Sequence, residues 1–309
     1  MIEILLVLPF AALLVYSVFS AFKYTRMISN IFMGLVYKPS WQPASSARGE
    51  KIGILDSSEK EIEALVVDNG RSDKIAIFCH ESGARKESWE KYTWFLPEAG
   101  WRILSVDFDE KANDAEPNAL SQWPDERDVE RLLTIVRWCR KVYAPAPRIV
   151  LFGVSKGAYV ALAASARVAF PCAVVADGLF SMKEIFRGYI RKWAPILVKP
   201  NLFGEHYPAW VVNVFTELGF WHCQRLTGKK FVNVERLLSG AHAPLLMIHG
   251  ETDDYVPASH QKLLQKFQNS RPSDAFWMAP SAGHNEAALL MRDVYEKEVL
   301  AFLGRALKS

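Results

Sequence analysis

The 309-residue sequence lacks the features that mark nucleic-acid-binding or disulfide-stabilised proteins. It contains no run of Lys and Arg, and its 37 basic residues nearly balance 34 acidic ones. The resulting net charge of +3 gives no support for nucleic-acid binding. The cysteines lie far apart, with neither a CxxC motif nor a zinc-ligand spacing, which predicts free, mostly buried thiols in a reducing compartment. They are Cys79, Cys139, Cys172 and Cys223.

Cofactor motifs, internal repeats and low-complexity tracts are also missing from the sequence. Without an HExxH-type spacing or a glycine-rich phosphate loop, we expect neither a metal nor an organic cofactor. Apolar residues make up 50% of the chain, which excludes a disordered or collagen-like protein. The length predicts one large domain with an appendage.

The N-terminal segment differs in composition from the rest of the chain. Residues Ile4–Phe22 form an uncharged, largely apolar stretch of 19 residues, about 28 Å long as a helix, close to the ~30 Å of a bilayer core. Only Glu3 is charged before it, whereas Lys23, Arg26 and Lys38 follow it. By the positive-inside rule, this charge distribution predicts a single-pass transmembrane helix with the rest of the chain in the cytoplasm.

A cleaved signal peptide is the alternative, because Val18-Phe19-Ser20 resembles a cleavage site. A second apolar stretch, Met27–Val36, either continues the helix or lies along the membrane surface. We therefore predict a membrane-associated segment over 1–38, a linker rich in Pro, Ser and Gly over 39–49, and a folded domain over 50–309.

Beyond the linker, short apolar strands alternate with helices, which predicts an α/β fold with a mainly parallel sheet covered on both faces. The predicted strands are Glu63–Val67, Lys74–Cys79, Arg102–Val106, Arg148–Phe152, Ala173–Ala176, Leu245–His249 and Ala275–Met278. The predicted helices are Glu87–Ala99, Asp125–Val142, Lys156–Phe170, Ser259–Gln268 and Asn285–Leu303. Residues 180–241 interrupt the alternation and contain eleven aromatic residues, which predicts a helical lid insertion or a plain structural subdomain.

The strongest chemical motif is Gly153-Val154-Ser155-Lys156-Gly157, between the apolar strand RIVLF and an Ala-rich helix. This is the strand–turn–helix context of a nucleophile elbow, in which glycines allow a tight turn and close approach of the backbones. The turn would expose the hydroxyl of Ser155 at the sheet edge. It would also direct the amide of Lys156 at a developing oxyanion, beside a helix N-terminus.

A serine hydroxyl needs a base to act as a nucleophile at neutral pH. His284 is the best placed of the seven histidines, in the loop between the last predicted strand and the last helix. We expect His249 to cap or pack at the end of a strand, and His260 to be solvated at the start of a helix. Three further histidines lie in or near the insertion, where they could contact a substrate: His206, His222 and His242.

A carboxylate that orients the histidine is expected after the preceding strand. Asp253 and Asp254 are adjacent there, and the residues alone leave both open. Asp107 and Asp177 also follow strands, where hydrogen bonding within loops is the more ordinary role.

The order of GVSKG, HGETDDYVP and AGHNE resembles the nucleophile, acid and base of the α/β-hydrolase fold superfamily, over about residues 50–305. The resemblance implies a mainly parallel sheet of the eight-stranded type, with helices on both faces and a lid. Its pattern places the acid four residues after His249, which selects Asp253. It also implies a second oxyanion amide at Ser82, in a loop braced by His80. The chain departs from the family at Glu81, where glycine is common, so a side chain there could alter the loop.

The resemblance implies acyl transfer to water through Ser155, His284 and Asp253, without a cofactor. We therefore predict a membrane-anchored serine hydrolase, resembling carboxylesterases and lipases, that cleaves an ester or related acyl bond in a lipophilic small molecule, a lipid among the candidates. The same triad on the same fold serves acyltransferases, thioesterases and serine peptidases, and an inactive binding protein is a further alternative.

Overall fold

The computed structural model describes residues 2–34, 48–56, 59–68, 73–108, 123–143, 145–170, 172–199, 201, 203–204, 206–240, 242–267, 272 and 274–307. The chain divides into two compact units. The helical unit comprises Met1–Leu35 and Met182–Lys229, and the sheet unit comprises Val36–Ser181 and Lys230–Ser309. Most of the predicted linker lies outside the described residues.

Eight strands form one sheet in the sheet unit, in the order β1-β2-β4-β3-β5-β6-β7-β8. β2 runs antiparallel to β1 and to β4, and the pairs from β4 across to β8 are parallel. This topology confirms the predicted mainly parallel sheet. The strands are β1 Glu50–Leu55, β2 Glu61–Val67, β3 Lys74–Cys79, β4 Arg102–Val106, β5 Arg148–Val154, β6 Cys172–Asp177, β7 Leu245–Gly250 and β8 Ala275–Ala279.

Ten helices of four or more residues are present in the described part of the chain. α1, α5 and α6 belong to the helical unit, and the other seven belong to the sheet unit. The helices are α1 Ile2–Gly34, α2 Trp89–Thr93, α3 Glu126–Val142, α4 Lys156–Ser165, α5 Met182–Leu197, α6 Ala209–Thr227, α7 Val234–Gly240, α8 Ala258–Phe267, α9 Ala287–Leu290 and α10 Arg292–Ala306.

The central strands are apolar on both faces because helices cover both faces of the sheet. Alternate side chains, such as Phe78 and Phe152, join a core with Tyr295 and Phe302 of α10. The intervening side chains, such as Leu151, are buried as well. α4 packs along β5 and β6, and α3 packs on α4. A capping box between Asp125 and Asp128 starts α3.

Four elements differ from the sequence predictions. The predicted helix over Glu87–Ala99 is a 3-10 helix over Lys86–Ser88 followed by α2, which ends at Thr93. β1 was missing from the predictions because it is an edge strand whose only fully buried side chain is Ile54, so its apolar pattern is weak. The predicted helix over Asn285–Leu303 is two helices, because Met291 has non-helical backbone angles (φ −127°, ψ 46°). The predicted helix over Lys156–Phe170 ends at Ser165. All four cysteines are free and buried, as their spacing predicts.

The helical unit is built on α1, which runs 33 residues without interruption. The predicted second apolar stretch therefore continues the helix as far as Gly34. The last turns of α1 pack on α5 and α6: the buried Phe32 ring lies 4.8 Å from the Phe186 ring and 6.2 Å from the Phe220 ring. The first part of α1 is different, since most of its side chains from Leu8 to Phe22 are exposed and apolar.

One helix among the described residues is long and apolar enough to cross a membrane. It is the stretch Leu8–Gly34 of α1, with a mean hydropathy of 1.3 over its most apolar window. Length and composition alone fit either a membrane anchor or a signal sequence.

The close approach of α4 to β3 gives a prediction for stability. A Cβ at Gly157 would overlap the carbonyl oxygen of Cys79, which is backbone and cannot move aside cheaply. We expect Gly157→Ala to lower the free energy of unfolding by about 1–3 kcal/mol. Gly304→Ala in α10 is the matched control, since nothing lies within 4 Å of the added methyl group. It should be neutral or stabilise by up to ~1 kcal/mol. Denaturant unfolding of the full chain in detergent measures both, and equal losses would contradict the packing described.

Candidate active site

Ser155 lies in the sharp turn between β5 and α4, with backbone angles (φ 50°, ψ −109°) that non-glycine residues rarely adopt. Its amide donates a 2.7 Å hydrogen bond to the carbonyl oxygen of Asp177, at the end of the neighbouring β6. A Cβ at Gly153 would overlap the backbone of Gly157, and a Cβ at Gly157 would overlap the carbonyl oxygen of Cys79. The turn therefore tolerates a side chain at neither position. The strand and helix thus hold Ser155 at the carboxyl edge of the sheet.

The side chains of Ser155 and Asp253 each lie within hydrogen-bond distance of the imidazole of His284. Ser155 Oγ is 3.0 Å from His284 Nε2, and His284 Nδ1 is 2.7 Å from Asp253 Oδ2. A carboxylate only accepts hydrogen bonds, so the proton on the neutral imidazole belongs on Nδ1, which leaves Nε2 to accept from the serine hydroxyl. The structure therefore brings together the three side chains that the sequence singles out.

The two adjacent aspartates have different environments. Asp253 is buried, and its second oxygen accepts hydrogen bonds from the amides of Tyr255 and Val256, at 2.8 and 2.7 Å. Asp254 is exposed. The ring of Tyr255 lies 5.4 Å from the His284 ring. Sequence reasoning missed this contact, because only the turn after Asp253 brings Tyr255 back onto the imidazole.

Lys156, the first predicted oxyanion donor, is the first residue of α4 and directly follows Ser155 at the helix N-terminus. Its side chain is buried, with Nζ 3.3 Å from Asp128 and 5.7 Å from the centre of the Phe108 ring. This ion pair ties the start of α4 to the start of α3 and leaves the backbone amide of Lys156 at the elbow.

Ser82, the second predicted donor, lies in the loop after β3, which is the neighbour of β5 in the sheet. Cys79 and Gly153 are register partners, so the loop and the elbow leave the same edge of the sheet. The buried His80 connects this loop to the one after β4. Its Nδ1 lies 2.7 Å from the carbonyl oxygen of Glu81, and its Nε2 accepts from the amide of Phe108 at 3.4 Å.

Glu81, where the chain departs from the family pattern, is fully buried. Its carboxylate accepts a 2.8 Å hydrogen bond from the hydroxyl of Tyr92 and a 3.4 Å one from the hydroxyl of Ser88, and it lies 4.0 Å from Nζ of Lys91. The side chain therefore anchors the loop to the segment that contains α2. No sequence pattern pointed to this role, because its partners follow seven to eleven residues later on a short helix.

The other candidate histidines have separate places. His249 is buried against Phe276, and burial lowers its pKa to about 3, so it packs as a neutral side chain, in line with the packing role expected. The prediction that His260 is solvated is wrong: it is buried, and its Nε2 accepts a 2.8 Å hydrogen bond from the amide of Ser181. His206 and His222 belong to the helical unit and His242 to the sheet unit.

The two aspartates assigned to loop hydrogen bonds both have partners outside their own loops. Asp107 accepts from the amide and the ammonium group of Lys86, at 2.6 and 2.8 Å. Asp177 is buried and accepts a 2.9 Å hydrogen bond from the hydroxyl of Tyr295. Burial raises the pKa of Asp177 to about 7, and the hydrogen bond from Tyr295 offsets only part of this effect.

Across the described ranges, no group of three or more His, Cys, Asp or Glu side chains could hold a metal ion.

A mainly parallel eight-stranded sheet with a serine at a strand–turn–helix elbow defines the α/β-hydrolase fold. Three solved structures of low sequence identity share this fold. The esterase Pf2001 of Pyrococcus furiosus is 22% identical, with 88% of this chain and 97% of the esterase covered and a TM-score of 0.61. The α/β hydrolase GrgF from Penicillium sp. sh18 is 18% identical, with 85% of this chain and 100% of GrgF covered and a TM-score of 0.59. The esterase EaEST from Exiguobacterium antarcticum is 15% identical, with 82% of this chain and 98% of EaEST covered and a TM-score of 0.54.

The chain belongs to the prolyl oligopeptidase family, whose sequence model matches residues 118–309. The matched region contains Ser155, Asp253 and His284, and it ends at the last residue of the sequence. No curated protein matches the sequence.

The raised pKa of Asp177 predicts a pH-dependent contribution to stability. The folded chain keeps this proton up to about pH 7, whereas the unfolded chain releases it near the ordinary value of 3.8. Between these values the folded state binds more protons, so the contribution of Asp177 to stability falls as pH rises. Asp177→Asn has no carboxyl group to titrate at this position, so it removes this fall in stability with rising pH. Its advantage over the wild type should grow by up to about 1.4 kcal/mol per pH unit between pH 4 and 7. Urea unfolding across this range measures the difference, and parallel pH profiles would contradict the assignment.

Proposed function

We propose that the protein is a serine hydrolase that cleaves a carboxylic ester or a related acyl bond through an acyl-enzyme. Ser155 is the nucleophile, His284 the general base and acid, and Asp253 the carboxylate that orients the histidine. The supporting observation is the continuous pair of contacts from Ser155 Oγ through the imidazole of His284 to the buried Asp253, at 3.0 and 2.7 Å.

In the first half of the reaction, Ser155 Oγ attacks the carbonyl carbon while His284 Nε2 takes the hydroxyl proton. The tetrahedral oxyanion accepts hydrogen bonds from the amides of Lys156 and Ser82. Its collapse breaks the bond to the leaving group, which receives the proton from His284. In the second half, His284 Nε2 takes a proton from water as the water oxygen attacks the acyl carbon. Collapse of this second intermediate breaks the bond between the acyl carbon and Ser155 Oγ, which receives the proton back from His284 as the acid leaves. Asp253 stabilises the imidazolium formed in each half.

A serine peptidase is the second candidate, and the match to the prolyl oligopeptidase family favours it. Thioesterases and acyltransferases share the triad chemistry, so the leaving group and the acceptor distinguish the four activities. A panel of chromogenic esters, thioesters and peptides, assayed with and without detergent, separates the substrate classes. Product analysis with added amine or alcohol acceptors separates transfer from hydrolysis.

We also propose that α1 anchors the protein in a membrane as a single-pass helix, with the sheet unit in the cytoplasm. The uncharged stretch Ile4–Phe22 and the exposure of apolar side chains from Leu8 to Phe22 support an anchor, and Lys23 and Arg26 after it support this orientation. A membrane location brings the enzyme to lipophilic acyl compounds, which we propose as its substrate class.

The two adjacent aspartates provide a matched test of the triad. Asp253→Asn removes the acceptor for the proton on His284 Nδ1, and loss of the correct tautomer costs about 10⁴-fold in kcat in serine proteases. We expect a loss of this order in kcat/KM for the best ester of the panel. Asp254→Asn changes an exposed carboxylate and should keep nearly full activity.

A fluorophosphonate probe supplies the reference for this comparison, because it labels an activated serine without turnover of a substrate. Labelling should be absent in Ser155→Ala and strong in the wild type and in Asp254→Asn. A reversed order of the two aspartate variants would contradict the assignment of the acid. Folded wild-type protein that takes up no label would indicate an inactive binding protein.

The orientation of α1 is tested with a reporter fused after Ser309. We expect the fusion to report a cytoplasmic location and to keep residue Met1 or Ile2 at its N-terminus. A reporter active only outside the cytoplasm would contradict the orientation. An N-terminus near residue 21 in the mature protein would instead identify a cleaved signal peptide.

A further inference from the structure

The helical unit contains an apolar groove of about 280 Å³, lined by α1, α5, α6 and the segment between α5 and α6. Small side chains make room for it, among them Ser20 and Ala21 of α1 and Ala194 of α5. Large aromatic rings, including Trp193 and Trp210, form other parts of its lining. The groove is thus a concave apolar surface within one compact unit.

The hydroxyls of one serine and three tyrosines in the lining have partners within the protein, whereas Nε1 of Trp193 is buried without one. The hydroxyls of Tyr16 and Tyr24 donate to the carbonyl oxygen of Lys199, at 3.4 and 3.3 Å. The hydroxyl of Ser17 donates to the carbonyl oxygen of Leu13 at 2.7 Å, and that of Tyr207 lies 3.2 Å from the side-chain oxygen of Asn201. Because these four hydroxyls are already bonded, the lining offers mainly hydrocarbon contacts, which favours an acyl chain as the occupant.

The groove lies beside the stretch of α1 that could enter a membrane. Its α1 residues, from Tyr16 to Ile28, fall within the apolar candidate span Leu8–Gly34. Trp210 and Val214 of α6 line the groove and are also exposed, and their exposed face continues along α6. This exposed apolar stripe has spacings of four, four and three residues, as on one face of a helix. It consists of Trp210, Val214, Leu218 and Trp221. A membrane that takes up α1 therefore brings acyl chains to the groove.

Basic charge is concentrated in the helical unit. Its two segments contain nine Lys and Arg against four Asp and Glu, whereas the rest of the chain has 28 against 30. Near the groove, the ammonium group of Lys23 lies 5.2 Å from the Tyr24 ring and that of Lys192 lies 5.6 Å from the Trp193 ring. Lys beside Trp and Tyr is typical of the bilayer interface, where basic residues attract anionic lipids.

We propose that this groove binds an acyl chain of an anionic membrane phospholipid, with Lys23 and Lys192 facing its head group. The proposal rests on the membrane anchoring proposed above. A second copy of the chain is a poorer occupant, since two helical units of the same net positive charge repel each other. The bound lipid would hold the C-terminal half of α1, α5 and α6 at the membrane surface.

The test uses the full chain in vesicles of phosphatidylcholine and phosphatidylglycerol, with a diazirine on an acyl chain of the phosphatidylglycerol. After irradiation, mass spectrometry maps the lipid adducts. Ser20→Phe fills the groove from α1, and Ala194→Phe fills it from α5. Val18→Phe is the matched control, because Val18 is exposed on α1 and does not line the groove. Wild type and Val18→Phe should give adducts on lining residues of α5 and α6, and both filled variants should give about tenfold fewer.

Equal adduct yields in all four proteins, or adducts confined to the exposed face of α1, would overturn the proposal, since bulk lipid produces both. Groove adducts from a diazirine fatty acid that phosphatidylglycerol does not compete away would assign the groove to free fatty acids instead. Crosslinks between copies through the groove would assign it to a second chain.

Two readouts separate this proposal from the proposed function. Vesicle flotation tests the anchor, and fluorophosphonate labelling tests the serine hydrolase. Flotation and labelling should be the same in the wild type and in the three variants. Circular dichroism checks that the variants keep their helical content. Wild-type protein that floats and takes up the probe without groove adducts overturns the groove alone. Protein that does not float overturns the anchor, and the lipid occupant with it.

Discussion

The close approach of α4 to the ends of β3 and β5 is the constraint on which the site depends. It requires positions 153 and 157 to be without side chains, and it holds Ser155 in a backbone conformation that costs energy. The hydrogen bond from the Ser155 amide to Asp177 fastens the turn to the next strand. A serine held in this way needs little reorganisation to present its hydroxyl. The rest of the sheet then has only to bring a base and a carboxylate to the same edge.

Parallel strands supply that edge. Ser155 follows β5, Asp253 follows β7 and His284 follows β8, so residues far apart in sequence leave the sheet on one side. Three buried carboxyl groups near these loops are each matched to donors. Asp253 accepts from two amides and the imidazole, Glu81 accepts from two hydroxyls, and Asp177 accepts from Tyr295. Such matching offsets part of the cost of burying these carboxyl groups, and it fixes the loops that they belong to.

Local patterns made much of the fold and several site residues predictable. The strands Lys74–Cys79 and Arg102–Val106 have the predicted bounds, because continuous apolar runs mark strands buried on both faces. Ser155 stood out because its motif joins a strand to a helix. His284 stood out because it lies in the loop between the last predicted strand and the last predicted helix. The choice between the adjacent aspartates needed the family pattern as well, since either could follow β7 in sequence terms.

What the sequence concealed depends on contacts between distant segments. The burial of His260 arises from its bond to Ser181, 79 residues earlier in the chain. The pairing of Asp177 with Tyr295 spans 118 residues, and no local pattern reports it. The packing of the end of α1 on α5 and α6 likewise joins the N-terminus to a segment about 150 residues later, which neither segment's own periodicity indicates.

A crystal structure of the covalent fluorophosphonate adduct tests the central claim most directly, because the phosphonyl group imitates the tetrahedral intermediate. The account predicts phosphorus bonded to Ser155 Oγ, with the phosphonyl oxygen about 2.7–3.1 Å from the amides of both Lys156 and Ser82. A phosphonyl oxygen that faces away from both amides, or an adduct on a different residue, would contradict it.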